Sequence, residues 1–375
     1  VLDQGETVLR VPYWALPAGD IVQIFAGGPG GGTFSSRFQE LVTQARRQFV
    51  QDADWLNLDP AVVTADTPVP FDIRPIWYQL DFENRETRMT KTDPTTVCLT
   101  DPGLASSLQP AKFQPYGPGG QPPQKAQPYY DAHGTTPERL RLGLLDPRLQ
   151  FFQEPVGDPH GGDPLVGVMQ EWLGSDKPIS VLDFNGVPSE AADLAIGVIL
   201  NLLFEVAVRC ESGGPGIGRP SPVLIVLEEA HRYLGDNASA LTRESANRIA
   251  REGRKYGIGI LMVTQRPTEL PKTALAQCGT LIALRLSSSD DQSTIRSALP
   301  DTVAGLAAVL PSLRTGEAVI SGEAVILPAR ALLDRPDPKP LAEDPPLTPW
   351  RQAPNVPNVA PALAAWRGTY EVEND

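Results

Sequence analysis

The 375 residues are 41% hydrophobic and 21% charged, with 32 basic against 45 acidic side chains and a formal net charge of −13. That apolar fraction excludes a disordered chain, and the length supports one large domain or two smaller ones with a sizeable core. Cys98, Cys210 and Cys278 lie too far apart for a disulfide framework or a CxxC zinc site and fit a reducing cytoplasm, three histidines lack metal-ligand spacing, and the acidic balance excludes a uniformly basic nucleic-acid surface while leaving room for a local basic stripe.

In chain order, residues 1–32 (LRVPYWALP, IVQIF) read as short strands and loops broken by GGPGGG. Residues 33–54 predict a helix capped by Thr33 or Ser35, with Phe38, Leu41, Val42 and Phe49 as its apolar set. Residues 59–95 carry no assignable pattern, and 101–127, rich in Pro, Gly and Gln, predict a surface insertion or linker. From residue 178 the pattern sharpens. ISVLD (179–183) suits a buried parallel strand, Ser189 caps a long helix to about Arg209, and a glycine-rich loop follows. On that helix Asp193, Asn201 and Glu205 form a polar stripe that argues against a membrane span. Then come VLIVL (223–227), a helix around 238–256, IGILMVT (258–264), a short helix near 273–277 and TLIALRL (280–286). Strand–helix alternation of this kind predicts a parallel sheet covered on both faces. Residues 317–327 read as two strands around a turn at Gly322, and 334–375, with nine prolines, Trp350 and Trp366, as an extended arm that packs on something. The expected division is 1–177, 178–333 and 334–375.

In open α/β sheets ligands gather at the C-terminal ends of the parallel strands. The predicted strands deliver Asp183, then Glu228 and Glu229 followed by Ala230 and His231, then Gln265 and Arg266, then Arg285. Two adjacent acids at the end of an apolar strand fit the metal-binding half of a nucleoside triphosphatase: Glu228 would hold Mg²⁺, usually through water, and Glu229 would face the water that attacks the γ-phosphate. Gln265, on the neighbouring strand, would orient that water. The plainer alternatives are helix capping for the two acids, turn roles for Asp183 and Gln265, and packing or loop tethering for His231, which has no visible partner.

On the helix between these strands, Arg243, Arg248, Arg251, Arg254 and Lys255 fall within about 140° of one another at about 100° per residue, opposite Ala246, Ile249, Gly253 and Tyr256. This is either a solvated basic face or the source of an arginine that reaches a phosphate, in cis or on a neighbouring subunit.

The stretches KPISVLDFNGVPSE, SPVLIVLEEAHRYL, ANRIAREGRKYGIGILMVTQRPTELPKTALAQCGTLIALRL and LPSLRTGEAVISGEAVILP resemble the HerA family of hexameric motor ATPases, within the HerA–FtsK group of P-loop translocases. The resemblance implies an α/β, RecA-like P-loop NTPase core with a mostly parallel sheet, a helical and loop insertion and a Pro-rich C-terminal arm. It implies ATP and Mg²⁺ as cofactors, a homo-hexamer that draws DNA through a central channel, and a nuclease or other effector as partner. Position by position, Glu228 and Glu229 match the family's Walker B acids, Gln265 its polar sensor, and Arg251 and Arg254 the block that supplies its arginine finger and phosphate contacts. Arg232 and Lys272 are candidates to line the DNA channel. One element departs from the pattern: GxxxxGK[ST], which cradles phosphates, occurs nowhere in the chain. With Val1 in place of Met, the expectation is the C-terminal portion of a longer cytoplasmic ATPase, inactive by itself; the alternative is a true relative without the P-loop. The competing readings are a conjugation- or secretion-type transfer ATPase of the same fold and a non-catalytic ring scaffold that binds an effector.

Overall fold

The computed structural model describes residues 7–154, 156–184, 187–210, 216–299, 301–337, 359, 360 and 363. Contacts cluster into two units, one spanning Val8–Cys278 and the other built from Gly279 onward. The division falls inside the segment 178–333.

The first unit begins with helices. α1 (Ala18–Ala26) and α2 (Gly32–Asp52) bury Ile21, Val22, Phe25, Phe34, Phe38 and Val42. The expectation of strands before residue 32 is therefore corrected: IVQIF lies in α1, where its apolar residues cover one helical face, and LRVPYWALP contains only a 3-10 turn at Tyr13–Ala15. α3 (Ile73–Arg85), in the segment without a readable pattern, starts at Asp72, whose carboxylate accepts the Arg74 N–H at 2.9 Å. Arg46 ties these pieces together from a fully buried position, donating to the carbonyls of Trp14 (2.8 Å), Leu16 (3.0 Å) and Ala65 (2.7 Å).

Four short strands form two small antiparallel ladders: β1 (Thr87–Arg88) with β4 (Gln124–Lys125), and β2 (Leu99–Asp101) with β3 (Lys112–Phe113). They hold the Pro- and Gly-rich segment at the surface. α4 (Thr136–Leu145) and α5 (Pro164–Trp172) complete this half of the unit.

Residues 179–183 are not a strand. Ile179 and Val181 are 76% and 84% exposed, and none of the ladders among the described residues includes this segment. α6 (Ser189–Arg209) follows, with Pro188 rather than Ser189 at its cap. Of the described helices it alone is long and apolar enough to cross a membrane, and 78% of that window is buried inside the molecule. Its polar stripe faces a neighbouring helix.

That neighbour is α8 (Ala240–Tyr256), reached through β5 (Val223–Leu227) and the single turn α7 (His231–Leu234). Asp193 Oδ2 accepts the Ser239 N–H at 2.5 Å, its carbonyl accepts the Thr242 hydroxyl at 2.7 Å, and Glu205 pairs with Arg248. Gly197 allows the approach: a Cβ there would lie 2.5 Å from Thr242 Oγ1. β6 (Ile258–Met262) then pairs parallel with β5 in the register Val223↔Ile258 through Leu227↔Met262. Ile225, Leu227, Ile258 and Ile260 face the core shared with α6 and α8, whereas Leu224, Val226 and Leu261 point outward and are 63%, 47% and 45% exposed. α9 (Lys272–Ala276) closes the unit.

The second unit holds β7 (Thr280–Ala283), α10 (Ser289–Ala298), a 3-10 run at Asp301–Ser312, β8 (Glu317–Gly322) and β9 (Ala329–Leu332). Its sheet has the order β7-β8-β9 and is antiparallel throughout, over a small core that includes Ala283, Ile295, Leu310 and Val319. Two expectations change. TLIALRL does not extend the parallel sheet, and among the described residues β5–β6 is the only parallel pair. The strand after Gly322 begins at Ala329, with the intervening Ile326 fully exposed. Short apolar runs look alike in either strand direction, so composition did not separate them. The proposed arm over 334–375, including Trp350 and Trp366, lies largely outside the described residues.

Candidate nucleotide-hydrolysis site

The β5–β6 pairing continues past both strand ends. The Val263 N–H donates to the Leu227 carbonyl at 3.0 Å and the Ala230 N–H to the Val263 carbonyl at 2.9 Å. This extension carries the Glu228–Glu229 turn alongside Thr264 and Gln265. Gln265 Nε2 donates to Glu229 Oε1 at 2.8 Å. Glu229 holds a left-handed backbone conformation, φ +50°, which is uncommon outside glycine. Its Oε2 is buried without a hydrogen-bond partner, although the side chain as a whole is 37% exposed. Glu228 is exposed.

His231 opens α7 with its Nδ1 3.1 Å from Thr264 Oγ1 and 3.4 Å from Glu229 Oε2. Thr264 Oγ1 also accepts the Arg266 N–H at 3.0 Å, and Arg266 Nη1 donates to Glu269 at 2.8 Å. His231 and Thr264 were not legible as partners, because 33 residues separate them; the one available signal was that each lies beside an expected site residue. Neither Glu229 nor Gln265 lines the cleft of about 450 Å³ in this unit, which runs along α3 beside Phe82, Glu83 and Arg88.

The basic face of α8 divides. Arg248 is spent on Glu205 and stacks 4.6 Å over Phe204, and Lys255 lies 5.1 Å over Tyr256. Arg251, with its guanidinium 3.7 Å from Glu252, and Arg254 are both exposed. Arg232 is exposed beside Tyr233, Lys272 begins α9 with its side chain outside the described atoms, and Arg285 belongs to the other unit. Thus the fold brings together Glu229, Gln265, His231 and Thr264.

Two parallel strands thus deliver adjacent acids and an amide to one edge, under a layer of helices, where an α/β arrangement gathers its polar groups. The family model "Helicase HerA-like C-terminal" matches residues 179–326. The DNA double-strand break repair helicase HerA of Sulfolobus acidocaldarius is 33% identical over 193 residues, covering 50% of this chain and 38% of that protein. Its namesake in Saccharolobus solfataricus is 37% identical over 148 residues, covering 39% and 30%, and a probable helicase of Methanocaldococcus jannaschii (MJECL08) 35% over 167, covering 44% and 32%. The aligned part spans about a third of the length of these relatives. Among solved structures, the genome packaging NTPase B204 from Sulfolobus turreted icosahedral virus 2 in complex with ATP-gammaS matches with a TM-score of 0.25 and 14% identity over 30% of this chain and 52% of its own, too slight to add to the assignment.

Proposed function

We propose that the chain is part of a subunit of an ATP-driven DNA translocase or helicase of HerA type. The observation that carries this reading is the Gln265–Glu229 hydrogen bond at the ends of β5 and β6, inside the HerA-matched stretch. Glu229 takes the proton of, or orients, the water that attacks the γ-phosphate of ATP. Gln265 holds that carboxylate from one side and is placed to respond to the phosphate.

The residues fit Mg²⁺ brought in on the nucleotide. No group of three or more His, Cys, Asp or Glu among the described residues forms a protein cage, and magnesium in such enzymes uses one or two carboxylates beside phosphate and water. Glu228 is the carboxylate that holds it through water. When bound, the ion neutralises charge that develops on the phosphates. Because GxxxxGK[ST] is absent from the sequence, these residues supply no phosphate-cradling lysine of that motif, and the chain by itself is expected not to hydrolyse ATP. Arg251 and Arg254, exposed on α8, are the arginines assigned to a phosphate, in cis or across to a neighbour in a homo-hexameric ring. Arg232 and Lys272 are assigned to the DNA channel, and a nuclease or other effector protein to the outer surface. A cytoplasmic location, away from membranes, suits the buried α6 and the unpaired cysteines.

Glu229→Gln in the complete protein tests the reading. Hydrolysis is expected to fall at least about a hundredfold while ATP still binds, and DNA-dependent function to fall with it. Undiminished function with hydrolysis abolished would instead favour a ring scaffold that uses nucleotide structurally.

A further inference from the structure

We propose that His231 is a positioning residue for Glu229, acting together with Thr264. The inference rests on Glu229 acting in hydrolysis. It starts from an unmet requirement: Glu229 Oε2 is buried without a hydrogen-bond partner, while Oε1 is taken by Gln265. The atom nearest to meeting that need is His231 Nδ1, at 3.4 Å.

The position of the ring proton follows from the contacts. Thr264 Oγ1, which already accepts the Arg266 N–H, retains a second lone pair and its own O–H. The 3.1 Å contact with His231 can therefore run in either direction. If Nδ1 were bare, two acceptor atoms, Nδ1 and the buried Oε2, would lie 3.4 Å apart with no hydrogen to offset their repulsion. If Nδ1 carries the hydrogen, it donates to Thr264 Oγ1 and turns the positive edge of the ring toward Oε2. The geometry points to a hydrogen on Nδ1.

Glu229 is then held from both sides, by the Gln265 amide on Oε1 and by the imidazole edge on Oε2. The same clamp braces a backbone that glycine would adopt more readily. A non-glycine residue at φ +50° persists where its surroundings over-determine it. Here the surroundings are the Ala230–Val263 hydrogen bond and a histidine two residues on, anchored to the neighbouring strand's extension. His231 does not touch the reacting atoms in this arrangement. It fixes the carboxylate that does.

Two measurements test this. With ¹⁵N-labelled histidine, the chain has three histidine rings to assign, and His231→Asn identifies the one in question. The His231 ring is expected to carry a hydrogen on Nδ1. In the complete protein, His231→Ala and Thr264→Val are each expected to lower kcat for ATP hydrolysis by about tenfold, the upper end for the net loss of one hydrogen bond. KM for ATP should stay within about twofold, since ground-state binding is untouched. His231→Asn, whose amide nitrogen falls near the Nδ1 position, should recover kcat to within about threefold, whereas His231→Gln, which reaches toward Nε2, should not. A ring without a hydrogen on Nδ1, a wild-type kcat in His231→Ala, or equal rescue by Gln and Asn overturns the proposal. Glu229→Gln, assayed beside them, separates the two levels. Full turnover in that variant overturns the hydrolytic reading itself, whereas its loss beside normal turnover in His231→Ala overturns only the positioning role.

Discussion

Glu83, on α3, is a carboxylate that burial by itself would push up. The His133 ring, 3.8 Å away, and hydrogen bonds from Arg37 (2.6 and 3.1 Å) and from Gln79 (2.7 Å) outweigh that effect and hold it at about 2. A group whose folded value lies below its ordinary 4.5 stabilises the fold above that pH and loses its contribution as pH falls toward 2. At near-neutral pH the contribution is about 3 kcal/mol. Urea unfolding followed by tryptophan fluorescence should therefore show Glu83→Gln less stable than wild type at pH 6, with the gap closing between about pH 4.5 and pH 2. A gap that stays constant across that range would contradict the assignment. None of this was visible in the sequence, because Arg37, Glu83 and His133 lie in three separate segments and only packing brings them together. Glu229 and Gln265 were legible for the opposite reason. Each follows directly on an apolar strand, and strand ends are where an α/β sheet gathers polar groups. His231 was legible as a tether but not as a partner of Thr264.

At the scale of elements, α6 and α8 were readable because each keeps a helical period over many residues, and the predicted buried side of α8, Ala246, Ile249 and Gly253, is the buried side observed. The polar stripe on α6 was seen but not its destination. Asp193 and Glu205 are there to meet Ser239, Thr242 and Arg248, and Gly197 is there to let Thr242 in. Gly197→Val is expected to destabilise the Val8–Cys278 unit by about 1–3 kcal/mol, the usual cost of overpacking, read as a lower denaturation midpoint. An unchanged midpoint would mean that the two helices can move apart freely. Shorter elements were less legible. α1 passed for a strand because its apolar residues are dense enough to fit either period, and residues 179–183 passed for a strand on composition alone, although a strand also needs a neighbour to pair with. β7 was found, but its direction was not. Direction is set by its pairing with β8, about 40 residues away.

For the whole molecule, the acidic balance excluded a uniformly basic coat, and the exposed cations of interest, Arg232, Arg251 and Arg254, are confined to α7 and α8. The outward face of β5–β6, with Leu224, Val226 and Leu261 exposed, is unusual for parallel strands, which are ordinarily covered on both sides. The HerA match begins at residue 179, so the first half of the chain, with its Arg46 and Glu83 anchors, is outside the matched stretch. The central claim is that Glu229 and Gln265 act as one unit in ATP hydrolysis, and a double-mutant cycle on kcat in the complete protein tests it most directly. Glu229→Gln and Gln265→Ala should each remove most of the activity, and the double variant should be scarcely worse than Glu229→Gln. Losses that multiply independently, or a Gln265→Ala variant with wild-type turnover, would contradict the account.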